Sequence, residues 1–495
     1  MIINHVREKI RQLAQERILI LDGAMGSMLQ AQAPPNGCND LLCLTKPACV
    51  QEIHEAYLKA GADIIETCSF NANAVSLADY GLANSAYEIN VAAARLARKA
   101  ADSFSTPDKP RFIAGSMGPT SKSASICQDM NDPGKRAIGW DELEAAYYDN
   151  ARGLLDGGAD LFIIETIFDT LNAKAAIFAV RRLAEERNID LPIIVSATVS
   201  NTGGRLLTGQ TVEAFCVSVL HADPLALGLN CSFGAEKLKP QIAGISAAVS
   251  GMVIAFPNAG LPNHQGIYDE SPESMADNIE EYLRERLVNI IGGCCGSTPA
   301  HIAAISERAK KYPPRLLPVI RKKTLLSGLE VLELDHGCFY RGKEDQIKAE
   351  EDDNFLQLIS EGKYEDAVEI ACDKAEDGAI FFNVCLADKA EKTDITRFLN
   401  YSLQYPALAR LPAMIGNSVW DVVEAGLKCL PGKGIVSTIS IEDGEEEFLR
   451  RARLSRAYGA AVVATTTRSF ELFEKAGFPK EDIIEDIITD PVIHR

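Results

Sequence analysis

Residues 158–166 read G-A-D-L-F-I-I-E-T, and residues 61–67 read G-A-D-I-I-E-T. In each, Gly-Ala-Asp precedes a continuous apolar run that closes on Glu-Thr. A strand with one wet face alternates apolar and polar residues, whereas a strand buried on both faces does not. The continuous pattern therefore predicts parallel strands sandwiched by helices. Six further runs share it: I-L-I-L-D-G (18–23), R-F-I-A-G-S-M-G (111–118), P-I-I-V-S-A-T-V (192–199), L-A-L-G-L-N-C (225–231), M-V-I-A-F-P-N-A (252–259) and V-N-I-I-G-G-C-C (288–295). Amphipathic stretches of helix length separate them. Eight βα units in about 300 residues predict an N-terminal (β/α)8 TIM barrel.

The pattern breaks at Tyr312-Pro313-Pro314-Arg315-Leu316-Leu317-Pro318. Prolines disfavour helix, and the basic triplet Arg321-Lys322-Lys323 favours solvent. The expected division is a barrel over 1–318, a linker over 319–326 and a second, shorter α/β domain over 327–495. The clearest strands of that domain are the runs 380–387, 412–418, 434–440 and 460–467. Four or five βα units in about 170 residues are too few for an eight-fold barrel and predict a half-barrel. Its edge strands need covering, so an oligomer or a complex is expected.

Of the 495 residues, 47 % are hydrophobic and 24 % charged, as in soluble globular proteins. A net charge of −19 without a basic stripe argues against nucleic acid as partner. No apolar run approaches the roughly 18 residues of a membrane span. The start, M-I-I-N-H-V-R-E-K-I-R-Q-L, lacks the apolar core of a signal peptide. Thirteen cysteines without a C-x-x-C pair point to a reducing cytoplasm, with thiols free or metal-bound.

In such a barrel the C-terminal strand ends and the loops after them carry the active site. Asp22 and Gly23 close the first strand, Glu66 to Asn71 the second, and Glu165 the fourth. Asn230 and Cys231 end the sixth, Asn258 follows the seventh, and Cys294 and Cys295 end the eighth. Adjacent residues of a regular strand point to opposite faces, so Cys294 and Cys295 need a sharp turn to share an ion. Gly292, Gly293 and Gly296 would permit it. Three thiolates leave a fourth tetrahedral position open, the pattern of a catalytic zinc. A thiol substrate filling it would be ionised at neutral pH, which suits alkyl transfer to sulfur. Against this stand plainer readings. A buried cysteine is usually a small core hydrophobe, and we take Cys38, Cys43, Cys49 and Cys68 to be of that class or exposed thiols. Adjacent cysteines can form a vicinal disulfide, and Asp22 and Glu165 can cap helices.

The segments L-D-G-A-M-G-S-M-L-Q, G-A-D-I-I-E-T-C-S-F-N, G-L-N-C-S-F-G, P-N-A-G-L-P-N and G-G-C-C-G-S-T-P-A-H-I resemble the homocysteine S-methyltransferase domain family. Within it, the chain looks most like the N-terminal half of cobalamin-dependent methionine synthases. The resemblance implies that Cys231, Cys294 and Cys295 hold Zn2+ and that homocysteine sulfur completes the tetrahedron. It implies Asp22 and Glu165 around the homocysteine amino group, backbone amides of Gly23, Ala24 and Met25 facing the carboxylate, and Phe70 and Asn230 shaping the pocket. Where the family has Glu-Thr-Asn-Thr-Phe, this chain has Glu66-Thr67-Cys68-Ser69-Phe70, so Ser69 keeps a hydroxyl and Cys68 replaces an amide.

S-G-L-E (327–330), the stretch around E-G-K-Y-E-D-A, V-W-D-V-V-E-A-G-L-K-C and Y-G-A-A-V-V resemble the pterin-binding domain of the same enzymes. The family's pterin contacts are replaced by Tyr340-Arg341-Gly342-Lys343-Glu344, Asn383-Val384-Cys385 and Gly416-Asn417, which counts against folate binding. No histidine follows an aspartate by two residues, as a cobalamin module requires, so cobalamin is expected only on a partner corrinoid protein. The expected function is zinc-dependent methyl transfer to homocysteine, giving methionine. The alternatives are an S-methylmethionine-type homocysteine methyltransferase and a non-catalytic docking subunit of a methyltransferase complex.

Overall fold

A computed structural model describes residues 5–32, 37–129, 131–334, 338–339, 346–348, 353–376, 378–386 and 391–486. Each of the eight runs holds a strand: β1 (Leu19–Ile20), β2 (Ile64–Glu66), β3 (Phe112–Met117), β4 (Leu161–Ile167), β5 (Ile193–Ala197), β6 (Ala226–Gly234), β7 (Met252–Asn258) and β8 (Ile290–Ile291). They pair in parallel in the order β1-β8-β7-β6-β5-β4-β3-β2. A parallel bridge between Leu21 and Ile64 joins the two ends of that order. The Asp63 N–H on the Ile20 carbonyl (2.7 Å) and the Asp22 N–H on that of Ile64 (3.1 Å) reinforce it. The N-terminal region is the expected TIM barrel.

The Gly-Ala-Asp repeat has a physical account. Gly61 (φ 114°) and Gly158 (φ 105°) end the helices Pro47–Ala60 and Trp140–Gly157 in the left-handed conformation that glycine tolerates. The aspartate two residues on then pins a neighbouring strand. Asp63 Oδ2 accepts from the Ile20 N–H (3.0 Å), and Asp160 Oδ2 from the Ile113 N–H (2.9 Å). Arg17 and Arg98 neutralise the two carboxylates. The same three residues thus stop a helix and fix the base of the barrel. Their Glu-Thr ends are delivered at the opposite mouth.

Leu19, Leu21, Ile64, Phe112, Leu161, Ile163, Ile194, Ile254, Phe256 and Ile290 form a buried cluster, which Ile10 and Leu13 of the helix His5–Glu16 join. Each such side chain contributes about 1.5–3 kcal/mol by burial, a reserve that lets the mouth hold strained backbone.

Beyond the barrel, β9 (Thr324–Ser327) and β10 (Val331–Leu334) form an antiparallel pair. They are followed by β11 (Cys338–Phe339), β12 (Gln346–Lys348), β13 (Phe381–Cys385), β14 (Ala413–Gly416), β15 (Ile435–Val436), β16 (Ala461–Ala464) and β17 (Ile483–Asp486). These last seven make a smaller α/β domain with a parallel sheet, ordered β11-β17-β16-β15-β14-β13-β12. The four expected runs are β13 to β16. Seven strands exceed the four or five units counted from sequence, because β11 and β12 are short and β17 is half acidic. Residues 324–326, read as linker, are strand instead. Leu326 packs with Phe381, Met414, Ile435, Ala461 and Ile484, whereas the preceding Arg321-Lys322-Lys323 is exposed. Tyr340 to Glu344 lie outside the described residues.

The second domain packs on the barrel's flank. Gln210 Nε2 reaches the Gly328 carbonyl (2.9 Å), and Ser218 Oγ meets Ser327 Oγ (2.9 Å). Among the described residues no helix is long and apolar enough to cross a membrane.

Candidate functional site

Cys231, Cys294 and Cys295 converge at the barrel mouth, their sulfur atoms all within 4.8 Å of one another. Cys231 Sγ stands 3.8 Å from Cys295 Sγ. Two thiolates bonded to zinc at about 2.3 Å in tetrahedral geometry lie about 3.8 Å apart, so this pair has the spacing the ion requires. All three are free thiols, so the vicinal disulfide is not formed.

The backbone that achieves this is strained. Cys231 and Ser232 both have φ 60°, in the left-handed region that side chains disfavour, and Gly296 has φ 79°. Such non-glycine residues cost on the order of 1–3 kcal/mol each and persist where surrounding structure enforces them. Here β6 slips register against β7 between Asn230 and Gly234. Gly292 and Gly293, expected to supply the turn, lack positive φ. Their role is close approach: a Cβ on Gly292 would lie 2.7 Å from Leu21 Cβ, and one on Gly293 2.5 Å from Ser297 Oγ.

The thiols share hydrogen bonds unequally. Bonds from Cys294 and Cys295 hold the Cys231 thiol down to about 3, whereas the bond with Cys231 pushes Cys295 up to about 11 and Cys294 well up. One thiolate is thus easily accommodated, and full ionisation of the set needs a cation. The donor set and its spacing fit zinc.

These sulfurs end a cavity of about 220 Å3. Every residue expected in the pocket lines it except Asn230, which stands behind. Asp22 and Glu165 face the cavity with carboxyls raised by burial, Glu165 to about 7 and Asp22 well above its usual range. Glu165 Oε1 accepts from Ser116 Oγ (2.6 Å). The helix Met25–Gln32 begins at the cavity, so the amides around Gly23 and Met25 present a helix N-terminus suited to a carboxylate. The Ala24 amide is already engaged by Ser297 Oγ (3.1 Å). Ser69 Oγ pairs with Thr67 Oγ1 (2.6 Å) and donates to the Ser116 carbonyl (2.8 Å), tying β2 to β3. Phe70 packs against Gly118, where a Cβ would meet its ring at 2.8 Å. Cys68 also lines the cavity, and Cys43 donates to its carbonyl (3.3 Å).

Sequence reasoning gave no role to several groups. Thr166, with φ 55°, is clamped by Asn230. Tyr268, from the loop after β7, bonds Cys295 and packs on Gly296. Glu66 lines the cavity with a raised carboxyl, chiefly through burial and then the nearby charges of Glu165 and Asp22. The repeat that carries Glu165 also carries Glu66, and was the available signal.

A model of the homocysteine S-methyltransferase family matches residues 19–309, more than half of the chain. The chain belongs to the homocysteine S-methyltransferase family. A second family model, pterin binding enzyme, matches residues 349–490. Among solved structures, the metallated form of the homocysteine methyltransferase MmuM from Escherichia coli is 24 % identical. The match covers 60 % of this chain and 98 % of that one, with a TM-score of 0.48. Its oxidised form is 25 % identical over 60 % and 97 %, also at 0.48. A putative phosphonomutase from Burkholderia cenocepacia J2315 is 14 % identical over 59 % and 92 %, at 0.31.

Proposed function

We propose that this family member is a zinc-dependent methionine synthase-type enzyme, transferring a methyl group to homocysteine from a methyl-corrinoid carried by a separate protein. The convergence of Cys231, Cys294 and Cys295 at one end of an acid-lined, amino-acid-sized cavity carries the reading. Zinc held by these three sulfurs would supply Lewis acidity, ionising an added thiol at neutral pH. Asp22 and Glu165 hold the acceptor's ammonium, and the amides of Gly23 and Met25 face its carboxylate. Phe70 closes the apolar side. Asn230 fixes the loop between the acids and Cys294. Transfer is direct, so no side chain acts as nucleophile and none as general acid.

Free thiols at the site require a reducing compartment, which supports a cytoplasmic location. In the second domain, Cys385 Sγ donates to Asn383 Oδ1 (2.9 Å), and Asn417 Nδ2 to the Leu386 carbonyl (3.0 Å). These polar groups at the strand ends are engaged within the domain itself, which speaks against a folate donor. We assign the barrel to 1–318 and the docking of a corrinoid partner or second copy to the domain beyond the linker.

The test is metal analysis with calorimetric titration of L-homocysteine, for wild type and Cys294→Ala. One zinc per chain, with homocysteine binding lost in the variant, supports the reading. Zinc-free protein, or binding indifferent to Cys294, overturns it. Methyl-corrinoid, methyl-folate and S-methylmethionine as donors then separate the three sources of methyl.

A further inference from the structure

We infer that Glu66 is a further specificity-determining residue, which with Asp22 receives the ammonium group of the acceptor amino acid. This rests on the reading of the cavity as an acceptor site, and shifts the burden within it from Glu165 to Glu66.

Four carboxylates line the cavity, and no lysine, arginine or histidine does. Of the four, Asp40 already accepts the Asn71 N–H (3.3 Å) and the Cys38 thiol (3.5 Å). Their bonding differs. Glu165 accepts the Ser116 hydroxyl at 2.6 Å and also bonds the Thr166 side chain. Asp22 uses Oδ2 to accept the Glu66 N–H (3.1 Å), which leaves Oδ1 buried without a partner. Asp22 is only 2 % exposed, so water does not readily replace the missing donor. Glu66 Oε1 is likewise buried and unpartnered. A buried acceptor without a donor is costly, and a native pocket that holds two on its acids, with Asn39 Oδ1 a third, is built for a ligand with donors. Among the described residues only the three cysteines bring three ligand atoms within 4.8 Å of one another, and the acids do not. An ammonium brings three N–H donors and one positive charge. It satisfies both orphan carboxylate oxygens and compensates the acids at once.

The repeat explains how the two glutamates come to share the cavity. Gly-Ala-Asp fixes β2 and β4 at their bases, and each strand then delivers Glu-Thr to the mouth. On β4 the register slips between Ile164 and Ile167, turning Glu165 towards Ser116. On β2 the strand ends at Glu66 without such a slip.

The experiment titrates zinc-loaded full-length protein with L-homocysteine and with 4-mercaptobutanoate, which has the same thiol and carboxylate but no amine. Wild type is expected to prefer homocysteine. Glu66→Gln is expected to weaken homocysteine about 10- to 100-fold, the loss of one charge-assisted hydrogen bond, and to leave 4-mercaptobutanoate unchanged. Glu66→Asp, which keeps the charge on a shorter arm, should fall between the two and covers the case of a misfolded glutamine variant. Equal affinity of Glu66→Gln and wild type for homocysteine overturns the inference. So does a loss common to both ligands, which would mean a role in pocket shape alone. Wild-type protein that binds zinc but ignores homocysteine would instead overturn the acceptor reading itself.

Discussion

Asn230 grips Thr166 twice: its Nδ2 donates to the threonine Oγ1 (2.7 Å), and its Oδ1 accepts from the threonine N–H (3.0 Å). The two residues sit on β6 and β4, and Ser196 of the intervening β5 donates to the same Oδ1 (2.8 Å). One amide therefore ties three strand ends together. It also turns Nδ2 towards Cys294 Sγ at 3.8 Å, so the acid end and the thiol end of the cavity share a brace. Thr166 is β-branched and has φ 55°, a conformation that needs such a clamp.

Asn230→Ala should strand the Thr166 N–H and the Ser196 hydroxyl in a buried site. Each unsatisfied group costs about 1–3 kcal/mol, so a loss on the order of 3 kcal/mol is expected. Urea unfolding would register it as a lower midpoint with an unchanged slope. Asn230→Asp keeps the acceptor and should lose less. A midpoint unmoved by Asn230→Ala would mean that the barrel holds Thr166 without the clamp.

Metal removal should destabilise the chain. The left-handed Cys231 and Ser232 are held by their surroundings, and a bound ion adds to that hold. Zinc at about 1,000 times its dissociation constant stabilises the folded state by about 4 kcal/mol. Melting temperature should therefore fall on chelation and recover with added zinc. Cys231→Ala and Cys295→Ala should each abolish the recovery. Wild-type protein whose melting ignores zinc would contradict a resident ion.

All eight barrel strands were legible because a strand buried on both faces leaves a continuous apolar run, and Cys231, Cys294 and Cys295 because they ended such runs. What stayed hidden depends on neighbours rather than on local pattern. Glu66 stood in the same repeat as Glu165, yet only its unpartnered Oε1 distinguishes it. The left-handed Cys231 could not be foreseen, since the glycines flanking Cys294 and Cys295 drew the expected turn to β8 and not to β6. In the second domain β11 and β12 hold two and three residues, too few for a periodicity to register. Leu326 reads as linker until its burial against Phe381 and Met414 is known.

Stability should rise with pH through Lys174. This side chain is 2 % exposed and donates to the carbonyls of Leu430 (2.8 Å) and Gly432 (2.9 Å) in the second domain. Burial pushes it down to about 7, whereas an unfolded lysine titrates near 10.4. Between those values the unfolded chain binds the extra proton, so unfolding free energy increases with pH across that window and not beyond it. In Lys174→Met the contribution vanishes. Wild-type minus variant stability, measured at pH 6, 8 and 10, should grow with pH by an amount on the order of a few kcal/mol. A difference constant across the series would show that Lys174 stays charged in the folded protein.

The two domains should unfold together until their aromatic joint is cut. Phe178, on the barrel helix Thr170–Arg187, stacks on Tyr458 of the second domain at 5.0 Å between ring centroids. Trp140 meets the two rings at 5.9 and 5.2 Å. Tyr458 Oη donates to Glu424 Oε1 (2.8 Å), which fixes the ring in place. Phe178→Ala removes one ring of this triangle and should cost about 3 kcal/mol. That cost falls on the interface, so calorimetry should turn one transition into two, with Trp140 fluorescence following the earlier event. Tyr458→Phe keeps the stack, loses one hydrogen bond and should leave a single transition. If Phe178→Ala melts in one step at a lower temperature, the buried contacts of Lys174, Gln210 and Ser218 suffice to couple the domains.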